Sequence, residues 1–153
     1  MQEIRELRIS DYDSLMDLIL GIYVEYPSAL HFSSRPTEAE ISALLVAKIA
    51  AIETGNGVDL VMIDGDRIIG ECEVFKSDGC AFLGIIVGKG VRRMGVGTRL
   101  VRECLKRCAE IGIDKVYATV DKANRASIEF LLSNGFAYDG PAEADLVKLS
   151  VRI

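Results

Sequence analysis

The sequence contains no tryptophan, only one histidine (His31), and no apolar run of the roughly 20 residues that a membrane-spanning helix requires. Its beginning lacks the basic and apolar segments of a secretory signal peptide. Its net charge of −5 disfavours a general nucleic-acid coat or a protein of anionic membrane surfaces. From these absences we expect a cytoplasmic protein that binds neither nucleic acid nor a membrane.

The sequence has few cysteines, and none of them forms a C-x-x-C pair. Cys72, Cys80, Cys104 and Cys108 stand 8, 24 and 4 residues apart, a spacing that does not fit the usual zinc-ligand clusters. Cys104 and Cys108 fall within an apolar helical stripe, where small buried thiols are common. We therefore predict that this pair belongs to the core and that the protein holds no metal.

The length and the apolar spacing predict one domain, residues 1–153. Alternating and helical patterns follow the order β-α-α-β-β-β-α-β-α-β-β, with connections too short to divide domains. Strands are expected at 3–9, 58–63, 67–75, 80–87, 115–120, 136–139 and 146–151, and helices after Ser10, after Thr37, at 95–111 and at 124–134. This order predicts an α/β (α+β) fold: a mixed, mostly antiparallel sheet of about seven strands flanked by four helices.

Positive charge is concentrated in one quarter of this acidic chain. Residues 89–125 contain ten basic and four acidic side chains, whereas the other residues contain 8 basic and 19 acidic ones. A solvated cationic helix face is one explanation of such a stretch. A turn rich in glycine opens the same stretch, however, and this favours a second explanation, a site for an anionic ligand.

The glycine-rich turn, residues 88–97, joins an apolar strand to an amphipathic helix and has glycines at positions 88, 90, 95 and 97. The first N–H groups of a helix lack intrahelical acceptors, and the helix dipole adds about half a positive charge there. Gly95 and Gly97 would let a bulky anion approach this backbone, with Arg92, Arg93 and Arg99 nearby. The turn predicts a diphosphate site, although it fits neither the P-loop nor the G-x-G-x-x-G pattern.

Two motifs in this sequence resemble those of a known family. Arg92-x-x-Gly95-x-Gly97 resembles the (Gln/Arg)-x-x-Gly-x-(Gly/Ala) signature of the GNAT superfamily, the acetyl-CoA-dependent N-acyltransferases. The segment from Asn124 to Phe136 is similar to the family's Asn-x-x-Ala-Ile-x-x-(Tyr)-x-x-x-Gly-Phe segment. The predicted element order also matches the GNAT fold. The resemblance implies an enzyme that transfers an acetyl group from acetyl-CoA to a primary amine of a small molecule or peptide.

The resemblance also implies which residues bind acetyl-CoA. Ile85, Ile86 and Val87 would lie on the strand whose backbone pairs with the pantetheine arm. Asn124 would face the pantetheine or the reacting carbonyl, and Arg125 would reach the outer phosphates. A helix N-cap is the other role that Asn124 can fill. The pyrophosphate would be cradled by the consecutive residues of the first motif: Arg92, Arg93, Met94, Gly95, Val96, Gly97 and Thr98.

The usual proton-transfer residues of the family are missing at the aligned positions. Leu131 replaces the Tyr that many relatives use as general acid, and Thr119 replaces a Glu base that some use. Phe82 stands closest to the place of another Glu base, on the strand before the turn. An enzyme that relies on positioning and water is one explanation. A non-catalytic acetyl-CoA-binding sensor or regulatory module is another, and a module for a different phosphorylated ligand is a third.

Spacing suggests replacements for the missing groups. Glu71 and Glu73 stand two residues apart on one predicted strand and therefore share a face, where one carboxylate can raise the pKa of the other. A solvated outer face is the alternative for this pair. Tyr138 would donate a proton if its side chain turned inward. Our candidate base is Glu73, and our candidate acid is Tyr138.

The acceptor site and the oligomeric state are less well defined by the sequence. The region from Tyr23 to Arg35 contains His31 and lies between two predicted helices. The resemblance implies that this region lines the acceptor site, as it often does in the GNAT fold. No motif distinguishes a polyamine, an amino acid, an antibiotic or a protein N-terminus as the acceptor. A homodimer is possible through edge pairing of the last strand.

Overall fold

The computed structural model describes residues 2–25, 34–141 and 143–153, and within them seven strands and four α-helices follow the predicted order. The strands are β1 (Gln2–Glu6), β2 (Gly57–Asp64), β3 (Arg67–Ser77), β4 (Cys80–Val87), β5 (Lys115–Asp121), β6 (Ala137–Tyr138) and β7 (Leu146–Arg152). The helices are α1 (Tyr12–Glu25), α2 (Glu38–Glu53), α3 (Val96–Glu110) and α4 (Arg125–Ser133). The predicted mixed α/β fold is confirmed.

The seven strands form one sheet in the order β1-β2-β3-β4-β5-β7-β6. Neighbouring strands are antiparallel except β4 and β5, which are parallel and pair only between Phe82 and Tyr117. The last strand, β7, pairs with β5 on one side and with β6 on the other. The expected dimer contact through the edge of β7 therefore loses its basis, and a homodimer stays a prediction.

Two hydrophobic cores lie on opposite faces of the sheet. One forms between the sheet and helices α1 and α2, and the other lies beneath α3, where Cys104 and Cys108 are buried as predicted and remain free thiols. Successive side chains of a strand point to opposite faces. As a result, β3 contributes Cys72 and Val74 to the α3 core and turns Glu71 and Glu73 toward α1 and α2.

Local signals set the ends of the elements. The predicted capping box of α2 is present: Thr37 Oγ1 accepts a hydrogen bond from the Glu40 N–H, and Glu40 Oε1 accepts one from the Thr37 N–H, both at 3.1 Å. Strand β6 is shorter than expected because Phe136 is buried and its N–H closes the end of α4 on the Leu131 carbonyl, at 3.1 Å. Among the described residues, no helix has both the length and the apolar character to cross a bilayer.

Candidate active site

A cleft opens where β4 and β5 separate. Beyond the single pair between Phe82 and Tyr117 the two strands are not bonded to each other, and the space between them forms a cleft of about 1140 Å³. Its walls come from β3, β4, β5 and α4, with further side chains from α1 (Ile19), α2 (Leu44 and Lys48) and β7 (Leu146). We call it the β4–β5 cleft. Its volume exceeds the roughly 300–1000 Å³ of most small-molecule pockets, so it suits a long ligand.

Four of the expected cofactor residues line this cleft. Ile85 and Ile86 lie in the β4 wall, and Asn124 and Arg125 lie at the start of α4. Asn124 is also the N-cap of α4, since its Oδ1 accepts a hydrogen bond from the Ser127 N–H at 3.2 Å. The capping role of Asn124 is therefore confirmed, while the contacts of these residues with a cofactor stay predictions.

The glycine-rich turn adjoins the cleft rather than lining it. A Cβ on Gly97 would lie 3.0 Å from two ring carbons of Phe130, which lines the cleft, and 3.6 Å from Val87. Val96 is buried in the α3 core. Gly95 has a φ of 78°, and a Cβ there would meet no other atom within 4 Å, so the backbone conformation is what requires glycine. Gly97 instead permits the close packing of α3 against the cleft wall.

The side chains of the turn have mixed surroundings. The guanidinium group of Arg92 forms an ion pair with Glu25 of α1, and its Nε donates to the carbonyl at the end of β4 at 3.2 Å. Arg93 and Met94 are exposed, and the backbone of Arg93 has a φ of 63°. The hydroxyl of Thr98 lies 3.5 Å from an amide nitrogen at the end of α4. Arg92 therefore ties the turn to α1, and phosphate binding by the turn stays a prediction.

Three carboxylates and one ammonium group meet beneath α2. The Nζ of Lys48 lies 3.0 Å from both carboxylate oxygens of Glu71, lies 3.5 Å from Oδ2 of Asp59 and donates to Oε2 of Glu73. One oxygen of each acidic residue lies within 4.8 Å of the others, which is close enough for the three to share one cation. The Lys48 ammonium is that cation. We call these four residues the Lys48 cluster. That the protein binds no metal stays a prediction.

Burial and neighbouring charges change the pKa values in the Lys48 cluster. Burial raises the pKa of Glu73, and the neighbouring Glu71 carboxylate raises it further. The Lys48 ammonium lowers the Glu73 pKa only in part, so that pKa lies above its usual value. Burial and Glu71 raise the pKa of Asp59 well above its ordinary value. Burial alone would lower the pKa of Lys48, but the three carboxylates outweigh it and raise that pKa. Lys48 therefore stays charged, and Glu73 is a stronger base than an exposed glutamate.

Glu73 reaches the cleft from the strand beside β4. It is paired in register with Gly84, and a Cβ on Gly84 would lie only 3.2 Å from Glu73 Oε1. Because Gly84 has no side chain, the Glu73 carboxylate occupies the space above β4, lines the cleft and is 28 % exposed. The alignment with the family placed Phe82 nearest to a Glu base on β4. The structure instead brings a carboxylate from β3 to this wall.

Two members of the Lys48 cluster, Lys48 itself and Asp59, were missed by the sequence analysis. Lys48 follows Ile41 and Leu45 on the buried face of α2, so a charged residue at a position of the apolar stripe was the available signal. Asp59 lies within the otherwise apolar beginning of β2. Each of these charges interrupts a hydrophobic pattern, and such an interruption predicts a buried polar contact.

The structure gives less support to the other expected site residues. Tyr138 lies on the edge strand β6, is 60 % exposed and does not line the β4–β5 cleft, so geometry gives no support to its role as an acid. Thr119 and Leu131, which stand at positions where relatives hold catalytic groups, do line the cleft. His31, which belongs to the region expected to line the acceptor site, lies outside the described residues.

Solved structures with this fold include several transferases. The PaiA N-acetyltransferase of Thermoplasma acidophilum, in complex with coenzyme A, is 19% identical over 100% of this chain and 99% of its own, with a TM-score of 0.83. A GNAT superfamily phosphinothricin acetyltransferase of Sinorhizobium meliloti, in complex with acetyl-CoA, is 18% identical over 99% and 88%, with a TM-score of 0.82. The ribosomal-protein-alanine N-acetyltransferase of Brucella melitensis is 19% identical over 99% of both chains, with a TM-score of 0.81. No curated protein sequence matches the chain significantly.

The mixed seven-stranded sheet of the described residues, which opens at its parallel pair, is the fold that the chain shares with these transferases. The sequence profile of the acetyltransferase (GNAT) family matches residues 16–136, which is most of the chain. The chain therefore belongs to the acetyltransferase (GNAT) family.

Proposed function

We propose that this protein transfers an acetyl group from acetyl-CoA to a primary amine of a small molecule or peptide. The observation that carries the proposal is the β4–β5 cleft, which has the Glu73 carboxylate in one wall and the start of α4 in the other. Relatives solved with coenzyme A or acetyl-CoA support acetyl-CoA as the donor. The acceptor enters between Glu73 and the thioester.

The donor lies along β4 in this proposal. Beyond Phe82 the backbone of β4 has no strand partner on the β5 side. The N–H and C=O groups that point that way, other than the Val87 carbonyl that accepts from Arg92, are therefore available to the amide groups of the pantetheine arm. The arm passes Ile85 and Ile86, and the pyrophosphate meets the free N–H groups at the start of α3. Exposed Arg93 adds positive charge there.

The chemical step needs a neutral amine, because an ordinary alkylamine has a pKa near 10.4 and is protonated at neutral pH. Glu73, directly or through one water, accepts a proton from the acceptor ammonium group. The nitrogen then bonds to the thioester carbonyl carbon, and the C–S bond breaks as the intermediate collapses. The second proton of the nitrogen passes to the thiolate through water, since Leu131 offers no hydroxyl. Glu73 finally returns its proton to solvent.

Binding is tested first, by calorimetric titration with acetyl-CoA and with ATP and NADH as controls. We expect selective binding of acetyl-CoA, because the β4 edge matches a pantetheine amide and neither nucleotide has one. Equal affinity for ATP would indicate a site for phosphorylated ligands in general. Acetyl-CoA binding without thiol release in a screen of amines would indicate the non-catalytic sensor instead.

Catalysis is tested with Glu73→Gln, which keeps the shape of the side chain and removes the base. We expect unchanged affinity for acetyl-CoA and a fall in kcat of roughly 10²- to 10⁴-fold, the usual worth of a general base. Glu53→Gln is the matched control, since Glu53 is exposed at the end of α2, and it should keep the wild-type rate. A Glu73→Gln enzyme with the wild-type kcat contradicts the proposed mechanism.

A further inference from the structure

Lys48 occupies an unusual place for a lysine. The buried side chains of α2 are Ile41, Leu45 and Lys48, which form one helical stripe facing the sheet, and Lys48 is 5 % exposed. Lysine is almost never fully buried unless it is paired. An apolar side chain would complete the stripe without the cost of removing a charge from water. Packing alone therefore does not explain a lysine at this position.

The surroundings of Glu73 contain one ammonium group and two further carboxyl groups. Asp59 of β2 and Glu71 of β3 face the same ammonium group as Glu73. Strand β4 presents uncharged Gly84 at this point, and the part of α1 packed on this face is apolar. Among the residues that the structure describes, Lys48 is the cation in contact with Glu73. Without it, Glu73 would face two carboxyl groups and no compensating positive charge.

This inference rests on the proposed function: we propose that Lys48 is the positioning residue of the base, which fixes the Glu73 carboxylate above Gly84 and keeps it ionised at neutral pH. Lys48 donates to Oε2 of Glu73, and Oε1 is the oxygen that lies against Gly84. One oxygen is thus anchored while the other is left to accept the substrate's proton. The ammonium also counteracts the rise in the Glu73 pKa that burial and Glu71 cause.

The test is the pH dependence of kcat in Lys48→Met, a variant whose unbranched side chain suits the apolar stripe. Because an opposite charge at this range lowers a carboxyl pKa by about 1–3 units, its removal should move the acidic limb of the profile upward by about that amount. Lys48→Arg keeps the charge and should return the limb toward the wild-type position. A loss of packing alone would lower kcat equally at every pH, so a folded Lys48→Met enzyme with an unmoved limb overturns the proposal.

Lys48→Gln is the second variant if Lys48→Met does not fold. Its amide keeps a polar group facing the carboxyl groups but removes the positive charge, so the acidic limb should again move to higher pH. A folded Lys48→Gln enzyme with an unmoved limb overturns the proposal.

Glu73→Gln separates the two proposals. If the acidic limb persists in Glu73→Gln, the base is another group, and the role of Lys48 falls with it. If the limb disappears in Glu73→Gln but stays in place in Lys48→Met, Glu73 is the base and only the role of Lys48 is refuted.

Discussion

Replacing Gly84 with alanine should slow the reaction while the fold persists. The new Cβ would lie 3.2 Å from Glu73 Oε1, which is tighter than most contacts of a Cβ, and 3.4 Å from Glu73 Cγ, which is an ordinary van der Waals distance. Glu73 must shift by a few tenths of an ångström to relieve this contact, while Lys48 still holds its other carboxylate oxygen. The shift moves the base away from the position that the cleft geometry gives it.

The size of the effect follows from how steeply catalysis depends on position. A misplacement of about 1 Å can cost about 10²-fold in rate, so a shift of a few tenths should lower kcat roughly three- to tenfold. The free energy of unfolding should change little, because alanine in a strand is favoured over glycine by about 0.5–1 kcal/mol and this offsets the strained contact. Thiol release at saturating substrates measures kcat, and thermal unfolding measures stability.

Gly21→Ala is the matched control, since it adds the same atom to an exposed position of α1 where nothing lies within 4 Å. We expect an unchanged kcat and a higher Tm, because alanine exceeds glycine in helix propensity by about 1 kcal/mol. A folded Gly84→Ala enzyme with the wild-type kcat would refute the placement of the Glu73 carboxylate against β4.

Two further predictions concern the donor site and the Lys48 cluster. Gly95→Glu should abolish acetyl-CoA binding in calorimetry, because a carboxylate would fill the phosphate site, and should cost about 1–2 kcal/mol of stability because φ there is 78°; retained affinity contradicts the site. In Asp59→Asn, Tm should rise relative to wild type as pH increases above about 4. Over that range the unfolded wild type loses the Asp59 proton while the folded protein, with its raised Asp59 pKa, retains it. The wild type therefore loses stability, whereas the asparagine variant has no carboxyl group to ionise there. A Tm difference that is constant with pH contradicts this reasoning.

The fold could be predicted because its signals are local. Apolar spacing, the capping box at Thr37 and the glycines at the turns define each element from a few neighbouring residues, and the predicted element order is confirmed. The beginning of β6 differs because Phe136 is buried in the core, which depends on tertiary packing. The expectation of a free edge on β7 was wrong because strand order in a sheet is not sequence order.

The site could be predicted only where its residues are close in sequence. Glu71 and Glu73 are two residues apart on one strand, so their common face follows from the pattern. Lys48 and Asp59 join them through the packing of α2 on the sheet and the pairing of β2 with β3, which no single segment contains. The space that Gly84 leaves for Glu73 likewise depends on the register of β3 with β4. These contacts join separate elements, so spacing alone cannot show them.

The single pair between Phe82 and Tyr117 has a consequence for the folded protein as a whole. In its backbone pairing the sheet divides into two parts, of four strands and three, which are joined by this one pair. In the proposed function, acetyl-CoA forms hydrogen bonds to the edge of β4 that β5 leaves unpaired. Its pantetheine arm acts there as an additional strand. Because such a ligand binds the folded chain alone, its affinity adds to the stability of the fold. Under the proposed function, each catalytic cycle therefore adds a strand-like ligand to the sheet and removes it again.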